Sequence, residues 1–435
     1  MTARRPCPPA PGPLENFAVQ FDALFHSLAQ RHAFRTYLAG LLAPRERAKT
    51  LTALAGAEPL IQAQAAPVQQ LQFFLSESAW DGDALAAQML ELLCAEPLIA
   101  PTADGALVID DTGDRKDGCA TDHVARQYLG SVGKIDNGIV AVTTLWAHEQ
   151  RYYPLQVAPY TPEGRLPGGK QDPAFRTKPQ IALILIERAQ AAGIPFEAIV
   201  ADSAYGDNPP FVHALAERQL PYVLAHSGTA SRGRAPEDVA HTFEDAAREL
   251  PMRAWQRIVR RFRDGHTERW WAAELRLLHY GPERPMRAVC VTTDRRTLPE
   301  LSTWYLTTNL PMAQASVTEV ARLYGLRNWI EQGYKQMKDE LGWADFMVRS
   351  DRAIRRHWTL VCCAFAFCWW HEAAEVRLRD TLTLPARKKN PVTCAATLAA
   401  PVASGTRLAD AGALAHTLLA SMLRQAPAAT VGRVA

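Results

Sequence analysis

Ala106-Leu-Val-Ile-Asp110 is a short apolar run that ends in an acid, and Phe196-Glu-Ala-Ile-Val-Ala-Asp202 repeats the pattern further along the chain. Apolar runs of this length, bounded by polar residues, read as buried strands. Between them, residues 138–146 and 152–160 form two β-rich runs around a polar turn at His148-Glu149-Gln150. Residues 178–193 carry apolar side chains at helical spacing and end in glycine. A second helical segment, 210–219, leads into a strand at 222–225. Three strands, helix, strand, helix, strand predict an α/β fold built on a mixed sheet. Two of those strands end in aspartate.

Outward from this frame the texture changes. In residues 1–100, Leu24, Leu28, Phe34, Leu38, Leu41 and Leu42 recur at helical spacing, interrupted at Pro67. A helical N-terminal domain is expected, either a scaffold or a unit for recognising a DNA end. Residues 227–312 read as strands at 254–262, 269–278, 288–292 and 303–307, with a turn at Asp264-Gly265. This is a β-rich insertion dividing the core into 101–226 and 313–376. An apolar helix is expected over 354–375, and the Ala/Pro-rich tail, 377–435, is expected to be loosely ordered.

The bulk composition excludes little. The 435 residues are 48% hydrophobic and 21% charged, ordinary for a globular protein, and a net charge of +3 does not by itself demand a nucleic-acid partner. The eight cysteines include no C-x-x-C pair and read as free thiols. Cys119 and His123 lack a second ligand pair, which argues against zinc. There is no signal-peptide core, and the longest uncharged apolar run, 358–370, is too short to span a bilayer, so the cytoplasm is the expected address.

One segment carries more information. Ser316-Val-Thr-Glu319 is a capping-box pattern and Gly342 a natural stop, which predicts one long helix between them. At about 100° per residue, Tyr324, Arg327, Glu331 and Lys338 fall within roughly 60° of one another, opposite Leu326, Trp329, Ile330 and Met337. By pattern alone such a face is a solvated surface or a site.

The spacing Tyr-x2-Arg-x3-Glu-x6-Lys, met by Tyr324, Arg327, Glu331 and Lys338, resembles the signature of bacterial transposases of the insertion sequence 4 superfamily. Val108-Ile-Asp-Asp-Thr-Gly113, followed by Lys116 and Gly118, resembles the first acidic motif of the related insertion sequence 701 group. Arg126-Gln-Tyr128 and Gly133-Lys134 also fit that group, and Ala201-Asp-Ser-Ala-Tyr-Gly206 resembles its second acidic motif. The likeness runs discontinuously from about Leu71 to Trp370, with departures at 119–123 and at Asp117. It implies a ribonuclease-H-like core in which Asp110, Asp202 and Glu331 converge as the catalytic, metal-binding acids. The family acid stands two positions before the threonine, which selects Asp110 over Asp111. Tyr324, Arg327 and Lys338 are then expected to hold DNA phosphates, and the partners are double-stranded DNA and a second copy on it, the whole associated with a bacterial nucleoid.

Carboxylates without histidine or thiolate favour two Mg²⁺ or Mn²⁺ ions, about 3.5–4 Å apart, for nicking and strand transfer. Further candidate DNA contacts are Lys116, Arg126, Arg257, Arg260, Arg261, Arg355 and Arg356, drawn partly from basic clusters around 253–263 and 349–357. Trp270 and Trp271 read as core residues. The function implied is DNA transposition; the alternatives are a DNA endonuclease of the same fold that does not join, and a transposase-derived DNA-binding protein.

Overall fold

The apolar positions of the first hundred residues fold as five helices: α1 (Leu14–Ala18), α2 (Leu28–Leu42), α3 (Leu51–Leu54), α4 (Ala66–Ser76) and α5 (Gly82–Ala95). Pro67 does not break a helix; it sits in the first turn of α4, where its missing N–H costs nothing. The computed structural model describes residues 5–149, 151–229, 242–261, 266–277, 280–281 and 285–383. The expected turn at Asp264-Gly265 lies outside those residues, as does the tail beyond residue 383.

The Ala-Leu-Val-Ile run begins β1 (Ala106–Arg115), which continues well past Asp110. It is followed by β2 (Ala125–Leu129), β3 (Lys134–Ala147) and β4 (Tyr152–Tyr160). β3 pairs antiparallel with β1, β2 and β4. Helix α6 (Lys178–Ala191), opened by a Thr177–Gln180 capping box, crosses to β5 (Ala198–Ala201), which runs parallel to β1. Then α7 (Ser203–Gly206) and α8 (Pro209–Glu217) lead to β6 (Tyr222–His226), parallel to β5. Every residue of β5 and β6 is buried, as strands covered on both faces require.

After α9 (Phe243–Arg248), the segment expected to be β-rich supplies β7 (Gln256–Arg261), β8 (Thr267–Leu275), β9 (Arg287–Thr292) and β10 (Thr303–Thr308). They form an antiparallel meander that joins the central sheet where β10 pairs with β6. The ten strands therefore make one mixed sheet, in the order β2-β3-β1-β5-β6-β10-β9-β8-β7 with β4 on β3. A second small core, around Phe243, Trp255, Ala273, Cys290 and Tyr305, lies under α9.

The single long helix expected between residues 316 and 341 is two: α10 (Val317–Gly325) and α11 (Asn328–Asp339). Ser316 caps α10 through the Glu319 N–H, but the Glu319 carboxylate turns to Arg322, so the capping box is only half made. At the join, Leu326, Arg327, Trp329 and Ile330 donate to carbonyls three residues back, a tightened turn. The cause is the sheet. α10 packs on β5, β6, β8 and β9, whereas α11 packs on β1, β3 and β4. A straight rod cannot follow both halves of a twisted sheet. Finally α12 (Asp351–Thr383) outruns its expected end at residue 375 and packs against α2, α4, α5 and β4. Among the described residues no helix is long and apolar enough to cross a membrane.

Candidate active site

β1 and β5 are hydrogen-bonded only as far as Val108 and Val200. Beyond that point β1 continues beside β3, while β5 ends and Asp202 caps α7, its Oδ1 accepting from the Ala204 N–H at 3.0 Å. The two strands part there, and crevices at the carboxyl ends of parallel strands are where α/β sheets put ligands. Asp110 and Asp202 stand on the two lips of that opening.

Arg327, at the join between α10 and α11, reaches into it. Its Nη2 donates to Asp110 Oδ2 at 2.8 Å and lies 3.5 Å from Asp202 Oδ2, and its Nη1 donates to Glu331 Oε1 at 2.9 Å. One guanidinium thus touches three carboxylates from three separate parts of the chain. Its Nε is buried with no partner among the described residues. Among those residues no three acidic, histidine or cysteine side chains stand close enough to hold a metal as they are arranged; the arginine stands between them.

The neighbouring acid, Asp111, points the other way. Successive residues of a strand face opposite sides of the sheet, so Asp110 meets α11 while Asp111 meets α6, where Lys178 Nζ donates to it at 2.9 Å. Lys178 also lies 5.9 Å from the centre of the Tyr160 ring. Burial pushes the Asp110 carboxyl up to about 7, against the pull of Arg327 and helped by repulsion from Asp202 and Asp111. Burial raises Asp111 too, opposed by Lys178. Four carboxylates here face two cations, an excess of acid that raises the proton affinity of the buried members and that a divalent cation would offset. The donor set is oxygen throughout, as hard divalent cations prefer.

The remaining signature residues spread out from this centre. Lys338 lies at the far end of α11, its Nζ 2.7 Å from Asp114 Oδ1 and donating to Gly113 O at 3.1 Å. Trp343 Nε1 donates to Asp114 Oδ2. Tyr324 is half-buried, edge-on to Trp304, and burial holds its hydroxyl at about 12. The sequence reading overlooked Lys178 and Asp114. Lys178 is signalled by the Thr-Lys-Pro-Gln cap of α6, and Asp114 by its even spacing from Asp110 along β1.

The basic candidates divide. Arg126 and Arg257 are exposed on β2 and β7, and Arg355 is exposed but paired with Asp351 at 2.7 Å. Arg260 is half-buried between Trp270 and Trp304, its guanidinium about 4.5 Å from both ring centres. The side chain of Arg261 lies outside the described residues. Two expectations are corrected. Lys116 donates to Ala344 O and Phe346 O and sits on the Phe346 ring, and Arg356 is buried and donates to the carbonyls of Leu75 and Trp80. Both side chains donate to backbone carbonyls of other segments. His357, from the same basic cluster, is fully buried between Tyr37 and the carbonyls of Gly342 and Trp343. His123 is held by Thr161 and Asp351, while Cys119 is exposed. Trp270 is core, as expected; Trp271 is half-buried beneath Arg295.

Two comparisons bear on this geometry. A family model described as "DDE superfamily endonuclease" matches residues 20–265, which include Asp110 and Asp202. A "Probable transposase for insertion sequence element IS701" from Microchaete diplosiphon is 35% identical over 352 residues, covering 80% of this chain and 84% of that protein. The chain belongs to the DDE superfamily of endonucleases.

Proposed function

We propose that this protein is a DNA transposase that cleaves phosphodiester bonds at the ends of an insertion sequence and joins them to new DNA, with Asp110, Asp202 and Glu331 as its catalytic acids on a ribonuclease-H-like core. The observation that carries the reading is the meeting of those three carboxylates on one guanidinium. Nothing in ordinary folding demands that acids from a strand, a strand end and a distant helix share a point, because like charges repel. A relative that shares most of its length is described as a transposase for an insertion sequence, and this supports joining as well as cutting.

Enzymes of this superfamily use divalent metal, and the oxygen donors and the excess of carboxylates over cations fit such an ion; we propose two Mg²⁺ or Mn²⁺ held by Asp110, Asp202 and Glu331. When bound, divalent metal lowers the pKa of the attacking hydroxyl or water and stabilises charge on the phosphate oxygens. The chain's own residues do the rest. Arg327, freed from the acids, donates both Nη groups to a phosphate oxygen pair beside the scissile bond. Lys178 keeps Asp111 neutralised on the opposite face, so that Asp110 alone of the pair faces the reaction. Two copies holding two duplex ends complete the proposed assembly.

Mg²⁺-dependent nicking of DNA carrying the element's ends tests this. We expect it in the wild type and its loss, with DNA binding kept, in Asp202→Ala and Glu331→Ala. Joined products separate a transposase from a nuclease. Cleavage surviving either substitution refutes the acid assignment, and a folded wild type that binds but never cuts refutes the enzyme.

A further inference from the structure

Residues 253–296 contain eleven arginines, no lysine and five acids, a formal charge of +6 in a chain whose total is +3. All the rest of the protein is therefore net acidic. The side chains of β7 and β8 sort this charge onto two faces. Ile258 and Arg260 share a face with Trp270, the side covered by α10. Arg257 and Val259 share the other with Trp271 and Arg269, their cross-strand partners. On that outer face α9 covers Ala273 and Cys290 but stops short of β7, the last strand of the sheet. Val259 is left 58% exposed, with Arg257 and Arg269 exposed on either side. The acids that could have neutralised them are engaged elsewhere: Glu274 by Arg287, Glu268 by Trp270 on the inner face. Arg253, Arg257 and Arg269 meet no carboxylate among the described residues. Arg295 lies flat on Trp271, 3.7 Å from the ring centre, and its Nη1 donates to Met252 O at 2.9 Å, two contacts that hold the guanidinium in place on this face.

We propose that this outer face of β7 and β8 binds the phosphate backbone of duplex DNA lying outside the cutting site, without regard to sequence. The inference rests on the reading that the protein works on DNA, but it concerns a face turned away from Asp110 and Arg327. The absence of lysine fits phosphate, which a planar guanidinium grips with two bonds. The competing explanation is that charge on β7 merely guards an open sheet edge. Guarding requires charge on the edge strand only, whereas Arg269 and Arg295 lie behind it, on β8 and after β9.

Binding of a fluorescent duplex of arbitrary sequence, measured across a salt series, decides the matter. The probe is compared on wild type and on Arg269→Gln/Arg295→Gln, two changes on this face whose folding is checked by melting temperature. We expect the slope of log affinity against log salt to fall by about one per arginine, about two in all. Affinity at a given low salt should drop about tenfold or more, with Mg²⁺-dependent nicking of saturated end DNA unchanged. An unchanged slope overturns the proposal. So does a variant that aggregates but binds equally well in its soluble fraction, which would assign the arginines to edge protection. Competition by polyglutamate as strong as by duplex would also overturn it in favour of an acidic protein partner. If the wild type binds with the expected slope loss but never nicks, the catalytic reading fails and this one stands.

Discussion

Asp110 and Asp111 are chemically identical and adjacent, yet one strand pleat separates their fates. Asp110 faces α11 and Asp111 faces α6 and Lys178. Asp110→Asn should therefore abolish nicking, whereas Asp111→Asn, which disturbs a supporting pair, should slow it about 10–100-fold; single-turnover cleavage of end DNA reads both. Equal effects would mean that the pleat does not divide the roles. Arg327 makes a second test. It supplies the positive charge that the acids lack, so it competes with any cation that binds them. In Arg327→Gln the Mg²⁺ concentration needed to raise the melting temperature should fall, while nicking weakens. A higher requirement would show that the arginine builds the metal site instead of occupying it.

At the scale of elements, α11 is strapped to β1 at both ends, by Arg327 on Asp110 and by Lys338 on Asp114. Glu331 lies between the straps. Asp114 is 7% exposed and also accepts from Trp343, so Asp114→Ala strands a lysine and an indole N–H. A loss of roughly 3 kcal/mol is expected in denaturant unfolding; a loss below roughly 1 kcal/mol would mean that Lys338 finds water at no cost. Elements of this kind were unevenly legible. β1, β5 and β6 announced themselves as apolar runs, because both faces of a central strand are buried. β2 was missed, since Ala-Arg-Gln-Tyr-Leu carries polar residues on a half-exposed strand. The break between α10 and α11 was invisible because apolar spacing runs unbroken through Leu326, Trp329 and Ile330; only the sheet's two directions require it. The acids and Arg327 were readable from the motifs, but Arg327 was expected on DNA phosphate, not on the three acids themselves. Nor could sequence distinguish Arg356, buried and donating to the carbonyls of Leu75 and Trp80, from the exposed Arg355 one residue away.

Across the whole molecule, α12 ties the N-terminal helices to the sheet, and His357 is one of its knots. Tyr37 from α2 and the carbonyls of Gly342 and Trp343 surround the imidazole. Burial pulls its pKa down to about 4, with Lys116 adding to the effect and the two carbonyls and Asp345 opposing it. The unfolded chain therefore takes up a proton near pH 6.5 that the folded one refuses. This contribution to stability is intact above pH 6.5 and is lost as pH falls towards 4, by roughly 3 kcal/mol at most. His357→Gln should flatten the decline between those pH values in chemical unfolding; an unaltered decline would assign it to other groups. The same long-range layout bears on how the protein is made. Asp110 and Asp202 leave the ribosome early, while Glu331 follows the whole β7–β10 meander, and the helix that fastens the N-terminal bundle comes later still. On the proposed assignment, a polypeptide released before residue 331 lacks the third acid, and such a product is expected not to nick end DNA.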